Sequence, residues 1–199
     1  MNILHIDCST RESSWSRRMS AAIVDRLSAD KGPVTIVRRN LGLHPISHTM
    51  PAYADSLSTA AAAGAADPEA HLLSEELIVE LETADILVLG TPMHNFTVPS
   101  VLKAWIDQVL RVGRTIIPTP VGKVGALQDR PVFIAIASGG IFDGEGANQP
   151  DFLTSYLTTA FNCIGLTSIQ FINLQATAFS AEDDLYHHIG HLSAVVVVS

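Results

Sequence analysis

Apolar residues in this chain come in five short runs, and stretches with helical spacing lie between them. Ile3, Leu4 and Ile6 make the first run, over residues 2–7, as a block rather than a strict alternation. Such a block marks a strand buried on both faces. Further strands are predicted over 33–37 (Val34, Ile36, Val37), 86–89, 131–137 and 168–174, the third breaking at Gly90. The first helix runs to about residue 27 with Ala21, Ala22, Ile23, Val24 and Leu27 on one stripe. A second starts at Asp67-Pro68, with Asp67 as N-cap, Pro68 in the first turn, and Leu72, Leu73, Leu77 and Leu81 as its stripe. The third, from 100 to about 111, repeats Val101, Leu102, Trp105, Ile106, Val109 and Leu110 at helical spacing. Helices over 151–164 and from near Ser180, where Asp183 completes a cap-like signal, close the series.

Two segments have no such rhythm. Residues 41–67 hold Pro45, Pro51, Gly64 and an Ala-rich run at 60–63, and are expected to be a flap, a partner surface or partly disordered. Residues 112–130 carry too much Pro and Gly for regular helix.

Five alternations of strand and helix specify a parallel sheet with helices on both faces. Five strands rather than six point to the order 2-1-3-4-5, a three-layer, flavodoxin-like α/β architecture. No repeat or linker divides the chain, so a single domain over 1–199 is expected. Hydrophobic residues make up 47% of it and charged ones 16%, the composition of an ordinary globular chain. The formal charge is −8, from 12 Lys+Arg against 20 Asp+Glu, which argues against a nucleic-acid partner. Cys8 and Cys163 are too few for a disulfide framework. The first apolar run is interrupted by His5 and stopped by Asp7, unlike a signal peptide, and the run at 195–198 is too short for a membrane span. A cytoplasmic location follows as the expectation.

In the order 2-1-3-4-5 the carboxyl ends of strands 1, 3 and 4 lie side by side at the crevice where such sheets bind ligands. The unusual loops follow those three strands. The first (9–16) holds Ser9, Thr10, Ser13, Ser14, Trp15 and Ser16 before a helix start, with Arg17 and Arg18 just inside. Its hydroxyls either cap the helix or, with the free N–H groups and the helix dipole, hold an anion. There is no Gly-x-Gly-x-x-Gly and no Walker lysine, so a monophosphate fits better than a dinucleotide or a nucleoside triphosphate. The second loop, Thr91-Pro92-Met93-His94-Asn95-Phe96, is stiffened by Pro92 and Pro99 and sets flat, polarisable side chains beside an amide that both donates and accepts. The third, Ala137-Ser138-Gly139-Gly140, offers paired glycines that let backbone approach a flat ring. A phosphate tail beside a planar ring held by two turns describes flavin mononucleotide (FMN).

On these residues the chain resembles the FMN-dependent NADH:quinone oxidoreductase and azoreductase family. The resemblance runs from ILHIDCS through LGTPMHNFTVPSVLKAWIDQVLRVG and SGGIF to FLTSYLTTAFNCIGLTSIQF. The family's Pro-Met-(Tyr or Trp)-Asn-Phe is matched by Pro92 to Phe96 with His94 as the departure. Its Ser and Ser-x-Ser phosphate turn is matched by Ser9 and Ser14-Trp15-Ser16 at slightly shorter spacing, and its Ser-Arg-Gly-Gly turn by Ala137 to Gly140 without the Arg. Pro118 and Cys163 stand where aromatics are common.

The resemblance implies a ping-pong hydride relay from NADH or NADPH through FMN to a quinone or azo compound, with no catalytic acid or base from the protein. It assigns FMN to Ser9, Ser14, Trp15, Ser16, Met93, His94, Asn95, Phe96, Ala137, Ser138, Gly139 and Gly140. His94 would either face the acceptor and donate a proton or be a half-exposed loop residue. The resemblance also implies a homodimer, with the helix after Pro99 and the two long connections as its candidate interface. A flavodoxin-type electron carrier is the main rival, although such carriers often present a strongly acidic rim. A serine hydrolase would need a Gly-x-Ser-x-Gly elbow that is absent. His187 and His191 are one helical turn apart, a metal-capable spacing without an evident third ligand. No metal is expected.

Overall fold

The computed structural model describes residues 1–29, 32–57 and 68–194. Its elements in chain order are β1 (Asn2–Asp7), α1 (Trp15–Ser28), β2 (Thr35–Asn40), α2 (Pro51–Ser56), α3 (Leu72–Thr83), β3 (Ile86–Pro92), α4 (Ser100–Val109), β4 (Ile116–Thr119), β5 (Gly122–Gly125), β6 (Val132–Ala137), α5 (Leu153–Ile164), β7 (Ile169–Leu174) and α6 (Glu182–Ala194). A 3₁₀ turn, Pro68–His71, leads into α3. Asp67, the Ala-rich run at 60–63 and the valines at 195–198 lie outside the described residues.

Five strands pair in parallel in the order β2-β1-β3-β6-β7. The expected label sequence 2-1-3-4-5 becomes 2-1-3-6-7, because β4 and β5 form a separate antiparallel hairpin inside 112–130. The order of the main-sheet strands along the chain is the expected one. β3 and β6, the central strands, are buried almost end to end, which explains their block-like apolar sequences. On one face Leu87, Leu89, Ile134 and Ile136 pack with α3, α4 and α5 through Leu77, Leu102, Trp105, Leu157 and Phe161. On the other, Ile3, Val88, Phe133 and Ile172 pack with α1 and α6 through Met19, Ile23, Leu185 and Ile189.

Three element boundaries depart from the expectations. β3 does not break at Gly90 but runs on to Pro92, because Gly90 is paired with Asp7 and Ala135, and Thr91 with Ile136. Gly90 is where α1 comes closest: a Cβ there would lie 2.6 Å from Ser20 Oγ and 2.9 Å from the Ser16 carbonyl oxygen. β2 lies later than 33–37, since pairing with β1 carries it through Arg38, Arg39 and Asn40. Arg38 bonds His5 Nδ1 at 2.8 Å and Arg39 is held by Glu76 and Glu80 of α3, so polar residues read as a connection are an edge strand. Within 41–57 the chain folds into α2, whose buried Tyr53 hydroxyl reaches Ser74 Oγ (3.3 Å) and the Gln108 carbonyl (3.2 Å). In α3, Leu77, Ile78 and Leu81 face the core, whereas Leu72 is exposed because it starts the helix beyond the sheet.

Candidate active site

The three turns predicted to converge do so. Cys8 N–H donates to the Gly90 carbonyl (2.9 Å), Met93 N–H to the Ala137 carbonyl (2.9 Å) and Ser138 N–H to the Leu174 carbonyl (2.9 Å). The carboxyl ends of β1, β3 and β6 are thereby adjacent, and their loops share one rim.

In the first turn Ser9, Ser14 and Ser16 are buried and Trp15 is half-buried. Ser14 stands at the N-cap of α1 in extended conformation but makes no side-chain cap, its hydroxyl lying 3.0 Å from Ser16 Oγ. Capping is therefore not what these serines do, and the first-turn N–H groups keep the donors that a helix start leaves over. No acidic residue occupies that first turn. Arg17 and Arg18, just inside the helix, are both engaged. Arg18 lies over the rings of Trp15 (4.5 Å) and Tyr186 (4.9 Å) and pairs with Glu182 at 3.1 Å. Arg17 turns inward to Asp7, Ser9 and Asn40.

Beneath this turn lies a buried polar network. Arg38 has only protons to offer His5 Nδ1, so the histidine proton sits on Nε2, which faces Ser20 Oγ at 2.9 Å. Ser20 Oγ in turn donates to Asp7 Oδ1 at 2.8 Å. Burial works against the ionised Asp7 carboxyl, but the hydrogen bonds of His5 and Ser20 and the Arg17 charge outweigh it and hold Asp7 below the usual carboxylate range. The neighbouring Cys8 thiol is pushed far up by burial and by the Asp7 charge, which makes it a core residue rather than a nucleophile.

The second turn is tighter than its two prolines imply. His94 and Thr97 exchange both backbone hydrogen bonds (2.9 and 3.0 Å), with Asn95 at φ 48° and Phe96 at φ 72°. That is a type I′ turn, and left-handed backbone at a Phe is a strain that needs support from its surroundings. The Phe96 carbonyl accepts the Phe152 N–H at 3.0 Å, which supplies part of it. His94, Asn95 and Phe96 are exposed, and the side chains of His94 and Asn95 make no hydrogen bond among the described residues. Met93 is half-buried, with Gln149 Nε2 3.3 Å and Ser138 Oγ 4.0 Å from its sulfur.

In the third turn Ala137 and Ser138 are buried, and the Ser138 carbonyl accepts Thr177 N–H and Oγ1–H, each at 3.0 Å. Gly139 is exposed at the rim. The space at Gly140 is already taken: a Cβ there would stand 2.8 Å from Gln149 Oε1, whose amide also donates to Ser138 Oγ at 2.7 Å. This glycine makes room for the Gln149 side chain. Gln149 and Asn40 were missed in the sequence because no motif or period marks them, and Asp7 and Phe152, although inside matched stretches, because nothing local there points to a role.

A cavity of about 320 Å³ opens beside the first turn, between Arg11, Ser13, Trp15, Thr177 and Ser180. A cavity of about 860 Å³ lies between the end of β7 and α6, and its lining residues Leu174 and Ala176 are hydrogen-bonded to the third turn. The rings of His187 and His191 are 5.5 Å apart, and no group of three or more metal-ligating side chains is found among the described residues. Among those residues no helix is long and apolar enough to cross a membrane.

A family profile described as Flavodoxin-like fold matches residues 1–194. FMN-dependent NADH:quinone oxidoreductase 2 of Cupriavidus pinatubonensis is 44% identical over 178 residues, 88% of this chain and 86% of that protein. The chain belongs to the flavodoxin-like FMN-dependent NADH:quinone oxidoreductase family. A second member, FMN-dependent NADH:quinone oxidoreductase 4 of Pseudomonas fluorescens, is 43% identical over 182 residues, 91% of this chain and 87% of that one. The crystal structure of an FMN-dependent NADH-azoreductase from Bacillus anthracis, in complex with FMN, aligns with a TM-score of 0.82 at 22% identity. It covers 97% of this chain and 96% of its own, so the family's fold extends over the whole alignment.

Proposed function

We propose that this protein is an FMN-dependent oxidoreductase that passes two electrons from NADH or NADPH to quinones and azo compounds. The observation that carries it is the convergence of an uncapped, hydroxyl-lined helix start with the strained 94–97 turn at one rim. The residues present fit FMN. The helix start offers unpaired N–H donors without a competing first-turn carboxylate, the arrangement a phosphate needs. The second turn offers Asn95, with a donor and an acceptor unspent, beside the exposed Phe96 ring.

When bound, FMN supplies the hydride chemistry, and the chain supplies position and electrostatics. Ser9, Ser14 and Ser16, with the Trp15 and Ser16 N–H groups, hold the phosphate, and Trp15 walls that end. Met93, His94, Asn95 and Phe96 hold the ring from one side, and Ala137, Ser138, Gly139 and Gly140 line the other. Asn95 satisfies the polar edge of the ring, and backbone donors of the two turns stabilise negative charge there. No side chain is assigned as acid or base. The names of the curated relatives support an enzyme over an electron carrier. Residues 1–199 act as one FMN-binding domain, working as a cytoplasmic homodimer in which the exposed Val112, Ile117, Val121 and Val124 are covered.

The test is a visible spectrum of the purified protein, followed by NADH oxidation with benzoquinone as acceptor. Flavin absorption and quinone-dependent turnover are expected. A colourless protein whose apo form takes up no FMN at micromolar concentration refutes the assignment.

A further inference from the structure

The Ser9 carbonyl is gripped from two sides. Arg17, in the first turn of α1, donates from one guanidinium nitrogen to the Ser9 carbonyl (2.7 Å) and to Asn40 Oδ1 (2.5 Å), and from the other to Asp7 Oδ2 (3.4 Å). Its Nε is buried without a partner among the described residues, so the terminal nitrogens alone set the side chain's orientation. Asn40 Oδ1 also accepts the Leu43 N–H at 3.1 Å and closes the turn that leaves β2. Within that turn Gly42 N–H donates to the Asp7 carbonyl at 3.2 Å, and a Cβ on Gly42 would fall 1.8 Å from the Ser9 oxygen. The backbone at 40–43 is thus pressed onto the Ser9–Thr10 peptide, an approach only glycine permits.

A peptide unit is planar, and in the trans form its C=O and N–H point in opposite directions. Fixing the Ser9 carbonyl toward Arg17 therefore fixes the Thr10 N–H away from it. Thr10 is exposed, and its N–H has no partner among the described residues. We propose that Arg17, Asn40 and Gly42 are positioning residues for the FMN phosphate. The exit turn of β2, acting through the Arg17 guanidinium, aims the Thr10 N–H at the bound group. The inference rests on the flavin reading and deepens it: phosphate recognition depends on a strand that contributes no residue to the site. Arg17 does this without its side chain touching the ligand, because both terminal nitrogens are turned to Ser9, Asn40 and Asp7 and its Nε is buried.

FMN and riboflavin differ only in the phosphate, so their affinity ratio isolates this role. Dissociation constants for both are measured by flavin fluorescence on the apo forms of wild type, Arg17→Gln, Asn40→Ala and Gly42→Ala. In Arg17→Gln and Gly42→Ala, FMN affinity is expected to fall roughly tenfold or more and riboflavin affinity by less than about twofold, with Asn40→Ala intermediate. FMN and riboflavin weakening in parallel, or an unchanged ratio, overturns the inference. Equal affinity of the wild type for both flavins also overturns it while leaving ring binding intact. A wild type that binds neither overturns the flavin reading itself. If Arg17→Gln does not fold, Asn40→Ala decides, since it keeps the Arg17 charge and removes only one of its acceptors.

Discussion

Gly90→Ala tests the contact on which the site's rigidity depends. The residue sits mid-strand in β3 with ordinary backbone angles, so an alanine meets no conformational objection there; what it meets is α1. Its Cβ would stand 2.6 Å from Ser20 Oγ, 2.9 Å from Asp7 Oδ1 and 2.9 Å from the Ser16 carbonyl oxygen. Ser20 cannot simply swing aside, because its hydroxyl is tied to Asp7 (2.8 Å), His5 (2.9 Å) and the Arg17 carbonyl (3.0 Å). The Ser16 oxygen is backbone, so relief means moving the start of α1. Overpacking of this kind costs about 1–3 kcal/mol, and loss of one buried hydrogen bond adds about 1 kcal/mol. A less flexible unfolded chain returns about 0.5 kcal/mol. The net loss is about 1.5–3.5 kcal/mol, which in a domain of this size lowers Tm by roughly 3–14 °C. Urea and thermal unfolding of the apoprotein measure it directly, and FMN titration should show weaker binding because the helix start has shifted. A Tm within about one degree of wild type would mean that α1 and β3 are not in the contact described, and the account of the site would fail with it.

The other predictions are narrower. Cys8 should resist iodoacetamide in the native protein and react only on unfolding, as peptide mass spectrometry would reveal; rapid native labelling contradicts its burial. Asp129 accepts Thr167 and Ser168 through both backbone and hydroxyl donors (2.7–3.1 Å), which outweigh its burial and depress its pKa. Its contribution is therefore complete above the unfolded carboxylate pKa of about 3.9 and lost as pH falls toward the lower folded value. Asp129→Asn should accordingly show a smaller drop in urea midpoint than wild type between about pH 7 and pH 2.5, and equal drops would count against it. Phe96→Gly relieves about 1–2 kcal/mol of left-handed strain but loses packing and gains chain entropy. Stability should change by less than about 1 kcal/mol while FMN affinity falls roughly tenfold, and unchanged affinity would remove Phe96 from the ring site.

What the sequence determined by itself was everything encoded by neighbours along the chain. Buried strands announce themselves as apolar blocks because both faces are covered, and helices by one stripe. The loops at 9–16, 91–96 and 137–140 were legible because hydroxyl-rich, Pro-bracketed and Gly-paired turns each have a local signature. Strand order then followed from the parallel connections, and with it the convergence of the three turns. The tertiary structure decided what depends on which strand lies beside which. Arg38, Arg39 and Asn40 belong to a strand only because β1 pairs with them and because His5, Glu80 and Arg17 bond their side chains. Gly90 ends nothing because Asp7 and Ala135 hold it in the sheet. Gln149 fills the space at Gly140, and Arg17 spends its charge inward, through contacts between residues far apart in sequence. A hydrophobic period records only whether a position is covered. Which polar atom meets which is set by distances of about 3 Å that exist only after the layers have closed.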